Sequence, residues 1–255
     1  MPQYALARHV FVCLQGEHVV FLDVRKDRYF ALESSRTAGL GELVPGWPVA
    51  APAPVIAEQV RYASQAAVST LVEQVDRDTL TAVIALLLEK EILTAVAGAG
   101  KSAEPVRAEA LRTDLAAEGS DESPRVDPVT CLRFVSAALR ATLLLKYRSL
   151  ESVVERVRAR IERAQDKEAP FDVARVHRLV GVFATLRPFF FTAKNACLFD
   201  ALALSEFLAG YGVLPRWVFA VQARPFAAHC WLQHGGIVLN DTVEHVKRYT
   251  PVMVV

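Results

Sequence analysis

Excess charge is nearly absent from this chain: 29 basic and 28 acidic side chains leave a net charge of +1 over 255 residues. So balanced a composition gives no electrostatic reason to expect nucleic acid as a partner. Cysteine is scarce as well. Cys13, Cys131, Cys197 and Cys230 stand apart, with no C-x-x-C pair and no regular spacing, which argues against a disulfide framework and for a reducing compartment. Long uncharged apolar runs are also missing. Arg133, Arg140 and Lys146 interrupt the apolar stretch 129–147, so no window approaches the roughly 18 uncharged residues of a spanning helix. The opening Met1-Pro-Gln-Tyr-Ala-Leu-Ala-Arg8 lacks the charged-then-apolar order of a secretory signal. No internal repeat is visible. These absences point to a soluble cytoplasmic protein without a membrane span, and a 53% hydrophobic content excludes a disordered chain.

What is present divides the chain in two. Val10, Val12 and Leu14 alternate, Gln15-Gly16-Glu17 turns, and Val19-Val-Phe-Leu22 forms a second apolar strand. After the polar tip Arg25-Lys26-Asp27-Arg28, Tyr29-Phe-Ala-Leu32 reads as a third strand. Three helices are expected next. The first is short, capped by Ser34 or Ser35 and ending near Gly39 to Gly46. The second covers 55–75. The third covers 79–93, started by Asp76 or Asp78 and burying Val83, Ile84, Leu87, Leu88 and Ile92. Residues 1–96 thus make a small domain, and the Ala/Gly/Ser/Glu/Pro-rich stretch 97–128 is expected to be a flexible linker. Gly98-Ala-Gly-Lys-Ser102 inside it looks like the end of a phosphate loop, but it follows a helix rather than a strand and reads as linker. From 129 to 255 the pattern predicts helices at 129–147, 149–165 and 171–186, the last stopped by Pro188, and a further helix at 196–209. A strand over 216–222 and a hairpin of 228–234 with 237–243 complete it, so the fold class is α+β.

The chemistry concentrates in this second half. Asn195 is a good N-cap, which puts Cys197 in the first turn of its helix, where free amides and the helix dipole favour a thiolate and can hold an oxyanion. If His234-Gly235-Gly236 is a three-residue loop, His229 lies directly opposite Asp241; a two-residue loop at Gly235-Gly236 moves its partner to Thr242. In the first register the carboxylate orients the imidazole and the imidazole serves the thiol. Gln222 is a candidate second oxyanion donor. Trp231 shares the face of His229, whereas Cys230 points to the opposite face and reads as core. The Cys and His spacings match no zinc site, so no metal is expected.

Cys197-Leu198, the apolar Leu202, Leu204 and Leu208, then Arg224-Pro225-Phe226-x-Ala228-His229-x-Trp231 and Asn240-Asp241 together resemble the B proteins of lasso-peptide biosynthesis. The resemblance is strongest over the last 65 residues or so. It implies a helix-rich transglutaminase-like, papain-related leader peptidase with a small antiparallel sheet and the triad Cys197, His229 and Asp241. More weakly, Tyr29-Phe-Ala-Leu32, Thr37-Ala38 and Glu91-Ile-Leu93 look like the fused, winged-helix-like recognition element of such proteins. That likeness implies that a precursor's leader adds as a strand along Arg28, Tyr29, Phe30 and Leu32. The expected partners are the leader and an ATP-using, asparagine-synthetase-like macrolactam synthetase. ATP dependence belongs to the pathway by resemblance, and no bound cofactor is expected here. Alternatives are an amide-forming acyltransferase with the same triad and a non-catalytic leader-binding scaffold.

Overall fold

The computed structural model describes residues 4–49, 78–96, 98–115, 126–164, 171–189 and 197–255. They fall into two compact units, Met1–Val106 and Arg107–Val255. In the first, a short strand β1 (Ala5–Ala7) leads into the expected meander of β2 (Val10–Gln15), β3 (His18–Asp23) and β4 (Arg28–Glu33). The sheet order is β2-β3-β4, antiparallel throughout, with Gln15 opposite His18 and Asp23 opposite Arg28. Gly16 turns the first hairpin at φ 57°, a left-handed conformation that glycine adopts without steric strain. Asp23 builds the second turn: its Oδ1 accepts from the backbone N–H groups of Arg25 and Lys26 at 3.1 Å each.

Alternation drives the packing. Val10, Val12, Val19 and Phe21 enter one core with Trp47, Val83, Leu87 and Ile92, and Phe30 stacks on Phe21 at 4.6 Å. Helix α1 (Ser34–Thr37) and a 3-10 turn over Ala38–Gly41 follow β4 directly, so the cap position falls on Glu33 rather than on Ser34 or Ser35. Glu33 is still paired with His18, which is why the chain passes from sheet to helix without a separate cap.

The next helix, α2, covers 78–89 and does not continue to Leu93 as expected. Glu91 takes φ 60°, and the N–H groups of Glu91 and Ile92 close back on the carbonyls of Leu88 and Leu87 at 3.0 and 2.8 Å. This C-terminal cap drops Ile92 fully into the core and turns Leu93 into a strand. That strand, β5 (Leu93–Thr94), and β6 (Gly100–Lys101) flank β1 in a second small sheet. Gly100 is required there, since a Cβ would lie 2.5 Å from that of Ala5. The phosphate-loop-like segment is therefore structural: Lys101 Nζ sits 3.4 Å above the Phe11 ring and Ser102 Oγ donates to the Pro45 carbonyl. The expected helix 55–75 lies outside the described residues, as does Asp76.

The segment expected to be a linker is partly built into both units. Ala103 is fully buried in the first and Leu115 is buried in the second, and the division falls between Val106 and Arg107. Residues 116–125 lie outside the described set.

In the second unit β7 (Thr113–Asp114) precedes helices α3 (Pro128–Tyr147), α4 (Leu150–Ala164) and α5 (Val173–Leu186), whose extents match the apolar periodicity closely. Asp127 caps α3, accepting from the N–H groups of Val129 and Thr130 at 2.9 and 3.0 Å. Pro188 falls within a 3-10 turn, Arg187–Phe189, that ends α5. Helix α6 (Cys197–Ala209) is apolar on every side, and nine consecutive residues from Asp200 to Leu208 are buried, the mark of a helix enclosed by its unit. Phe207 meets Phe134 of α3 and Phe183 of α5 at 6.3 and 5.8 Å. The buried Glu206 is paired with Arg160 at 2.8 Å, as a buried carboxylate must be.

After α6 come β8 (Arg216–Gln222), β9 (Ala227–His234), β10 (Ile237–Val238), a single-turn helix α7 (Val243–Val246) and β11 (Thr250–Val254). The sheet order is β11-β8-β9-β10-β7, antiparallel except where β7 joins β10 in parallel. Among the described residues one helix, α3, is long and apolar enough to cross a membrane by length and composition. It nevertheless carries Arg133, stacked on Tyr211 at 4.5 Å, and Arg140, 3.9 Å from Glu206.

Candidate active site

Cys197 is the first residue of α6, so its sulfur lies beside N–H groups with no partner inside the helix. Asn195, the expected cap, falls outside the described residues. Beneath the helix runs β9, bearing His229 and Cys230. The Cys197 sulfur is close enough to the Cys230 thiol, the His229 side chain and the Cys230 backbone N–H for each to act on its ionisation. The Cys230 thiol bond does most to favour the thiolate. Burial opposes it, but the bonds and charge of His229 assist, and the thiol falls from an ordinary 9.0 to about 4. Cys230 moves well upward in return, because its neighbour's charge is better served by a proton on its own buried sulfur.

His229 Nε2 lies 2.5 Å from Asp241 Oδ2, which leaves Nδ1 for the sulfur. Burial disfavours a charged ring, yet the bonds to Asp241 and Cys197 and their charges outweigh it and raise the imidazole from 6.5 to about 9. Burial likewise works against the Asp241 charge, but His229, His245 and the Thr242 N–H together hold the carboxyl below its usual range. Between about pH 4 and 9 the couple is therefore thiolate and imidazolium.

The route by which Asp241 reaches His229 corrects the expected register. The turn is the two-residue one at Gly235-Gly236, with Gly235 at φ 55° and His234 opposite Ile237. Leu239 N–H still donates to the Leu232 carbonyl, and a continued ladder would oppose His229 to Thr242. The ladder stops at Asn240 instead. Its Oδ1 takes the Leu232 N–H at 2.8 Å in place of a strand carbonyl, and its Nδ2 donates to Asp200 of α6 at 3.0 Å. This amide clamp swings the chain off the sheet and carries Asp241 back to the imidazole. Asp200 is also paired with Arg187 at 3.2 Å, and it sits one turn after Cys197 on the same helix. The thiol helix and the carboxylate bend are thus tied together.

A residue not singled out from the sequence belongs to this cluster. His245 of α7 reaches Asp241 Oδ2 and Oδ1 through its Nδ1 at 2.9 and 3.0 Å. The signal was an i, i+4 spacing from Asp241 behind the capping Thr242, whose Oγ1 accepts the His245 N–H at 3.2 Å. Tyr249 packs 5.2 Å from the ring of His229 and 5.4 Å from that of His245, and Trp231 lies 6.0 Å from His229. The donor atoms of His229, Asp241 and His245 fall within 4.8 Å of one another, a closeness that their mutual hydrogen bonds account for. Gln222, the oxyanion candidate, ends β8 and donates its amide to the Arg224 carbonyl at 3.2 Å.

In the first unit, Arg28, Tyr29, Phe30 and Leu32 lie on β4, which pairs with β3 alone among the described strands and so forms the sheet edge. Phe30 and Leu32 are partly buried against the core, and Arg28 Nε lies 3.6 Å from Asp23. Lys26 of the polar tip is engaged by Glu91 at 2.8 Å, which leaves that tip with less free positive charge than its composition suggests.

Cys197 at a helix start, His229 on an adjoining strand and the Asp241 carboxylate behind it all lie in one stretch that resembles a known family. Residues 131–254 match the model of the transglutaminase-like superfamily. They form a transglutaminase-like domain. No curated protein and no solved structure matches the chain. The match begins within α3, whereas the unit that carries the transglutaminase-like domain reaches back to Arg107 and takes its β7 from there. That upstream strand is part of the site's support: Asp114 Oδ2 accepts the Val243 N–H at 2.8 Å and fixes the start of α7.

Proposed function

We propose that this chain is a cysteine endopeptidase that removes the leader from a ribosomally made lasso-peptide precursor. The observation that carries the proposal is that His229 favours the Cys197 thiolate while Asp241 holds the far nitrogen of the same ring. The motif order from Cys197-Leu198 through Pro225-Phe226 to His229 and Asp241 directs the reading to leader removal. In the reaction Cys197 attacks the scissile carbonyl, the N–H groups at the start of α6 hold the oxyanion, and His229 protonates the departing amine. Water activated by the same imidazole then releases the acyl group from the sulfur.

The N-terminal unit binds the leader in this proposal. The edge of β4 offers main-chain groups for an added strand, with Tyr29, Phe30 and Leu32 supplying selectivity. Tethering one end of the precursor raises the concentration of its scissile bond at the thiol. The freed core passes to an ATP-using macrolactam synthetase in the cytoplasm.

Incubation of the full chain with a synthetic leader–core precursor, followed by mass analysis, tests the reading. Free leader and free core support hydrolysis, whereas acyl fragment joined to an added amine identifies an acyltransferase instead. If Cys197→Ala left processing intact, the protein would be a scaffold and the enzymatic reading would fail.

A further inference from the structure

Asp241 is held by three donors, and they are not equivalent. Thr242 N–H reaches Oδ1 at 2.7 Å, but it belongs to the next residue in the chain and moves with Asp241. His229 reaches Oδ2 at 2.5 Å, but it is the group that Asp241 is supposed to orient. His245 is the donor that is neither adjacent in the chain nor itself the group to be oriented. Its Nδ1 lies between both oxygens at 2.9 and 3.0 Å, and its helix is fixed by Asp114 on β7 through the Val243 N–H at 2.8 Å. An ordinary exposed i, i+4 pair contributes little and holds no geometry. Here the carboxylate is 17% exposed and the His245 side chain 38%, the donor bridges both carboxylate oxygens, and the His245 ring lies 4.9 Å from that of His229.

We propose that His245 is a positioning residue: its Nδ1–H fixes the plane of the Asp241 carboxylate and thereby holds His229 in register with the Cys197 sulfur. The inference rests on the thiol–imidazole reading of the site but not on the identity of the peptide cut. Without the bridge, Asp241 keeps only the Thr242 N–H and His229, and its side chain turns more readily about its own bonds. His229 then loses its counter-charge for part of the time, and the thiolate loses its imidazolium. Among the described residues, other titratable groups near the cluster are Cys230 on β9, Asp200 on α6, Asp114 on β7 and Tyr249 after α7, while Glu244 and Arg248 on and after α7 lie 3.9 Å from each other.

The test reads thiol ionisation, which needs no substrate. Thiolate absorbance and the rate of iodoacetamide alkylation are followed against pH in the full-length protein, with Cys197→Ala as the blank for the other cysteines. In His245→Ala the ionisation midpoint of Cys197 is expected to rise by about one pH unit, so that thiolate at pH values below it falls about tenfold. His245→Asn, whose amide can donate to the same carboxylate, restores most of the loss, while the thermal midpoints of all variants stay close to wild type. A His245→Ala profile superimposed on wild type overturns the proposal, as does an Asn variant no better than Ala. If His245→Ala does not fold, the comparison of His245→Asn with His245→Leu decides in the same way. Loss of precursor cleavage with unchanged ionisation would count against His245 positioning and leave the peptidase reading standing. The expected shift in a protein that cleaves no precursor would do the reverse.

Discussion

Replacing His229 by Ala removes both a hydrogen bond and a positive charge from the Cys197 sulfur, and the consequence can be worked out. The wild-type thiol is lowered from 9.0 to about 4, with Cys230 the largest contributor and His229 the next favourable one. At pH 6 a thiol titrating at about 4 is about 99% ionised, and one at 9.0 is about 0.1% ionised. Complete loss of stabilisation would thus deplete the thiolate by about 1000-fold. The influence of Cys230 survives the substitution, so the expected depletion at pH 6 is smaller, about 2- to 10-fold for a midpoint of about 6 to 7. The sign is fixed by the chemistry. A depressed acid keeps its charged form above its folded-state midpoint and loses it as pH falls through that midpoint. The wild type therefore holds its thiolate down to about pH 4, and the variant sheds it at higher pH. Thiolate absorbance against pH, corrected with Cys197→Ala, measures the midpoint directly. A wild-type midpoint near that of an ordinary thiol, unchanged in His229→Ala, would refute the ion pair and with it the activated nucleophile.

The remaining expectations use the same site and its supports. Cys230→Ala should raise the Cys197 midpoint, and Cys230→Ser, which keeps a donor, should raise it less; titration of the two variants side by side checks it. Asn240→Ala leaves the Leu232 N–H and one oxygen of buried Asp200 without their partner, a loss of roughly 1–3 kcal/mol in urea unfolding. It should also raise the thiol midpoint, because Asp241 is no longer turned toward His229. Phe134→Ala, removing a ring packed at 5.2 Å on Phe183 and 6.3 Å on Phe207, should destabilise the fold by roughly 3–5 kcal/mol with little effect on the thiol midpoint.

Local pattern carried much of the architecture. The alternation across 10–32 is strong enough to read as three strands, and the apolar stripes of α3, α4 and α5 place those helices within a residue or two. β11 is not among the expected strands, and β1, β5, β6 and β7 are illegible in the sequence because two or three residues are too few to show a period. They exist only because a neighbour offers a ladder. The end of α2 departs from the expected one for a related reason. Ile92 and Leu93 continue the helical stripe, but a left-handed Glu91 turns them to the core and to β1.

Residue types and their order along the chain nominate Cys197, His229 and Asp241, since helix-start and strand patterns around them are local properties. How the three come together is not local. The sheet register by itself sets His229 against Thr242, and only the Asn240 amide, held by Asp200 on a different element, breaks the ladder and returns Asp241 to the ring. The Cys230 thiol bond and the His245 bridge are likewise products of packing. Sequence periodicity reports which way a side chain faces on its own element, whereas a hydrogen bond between elements depends on where the whole unit brings them.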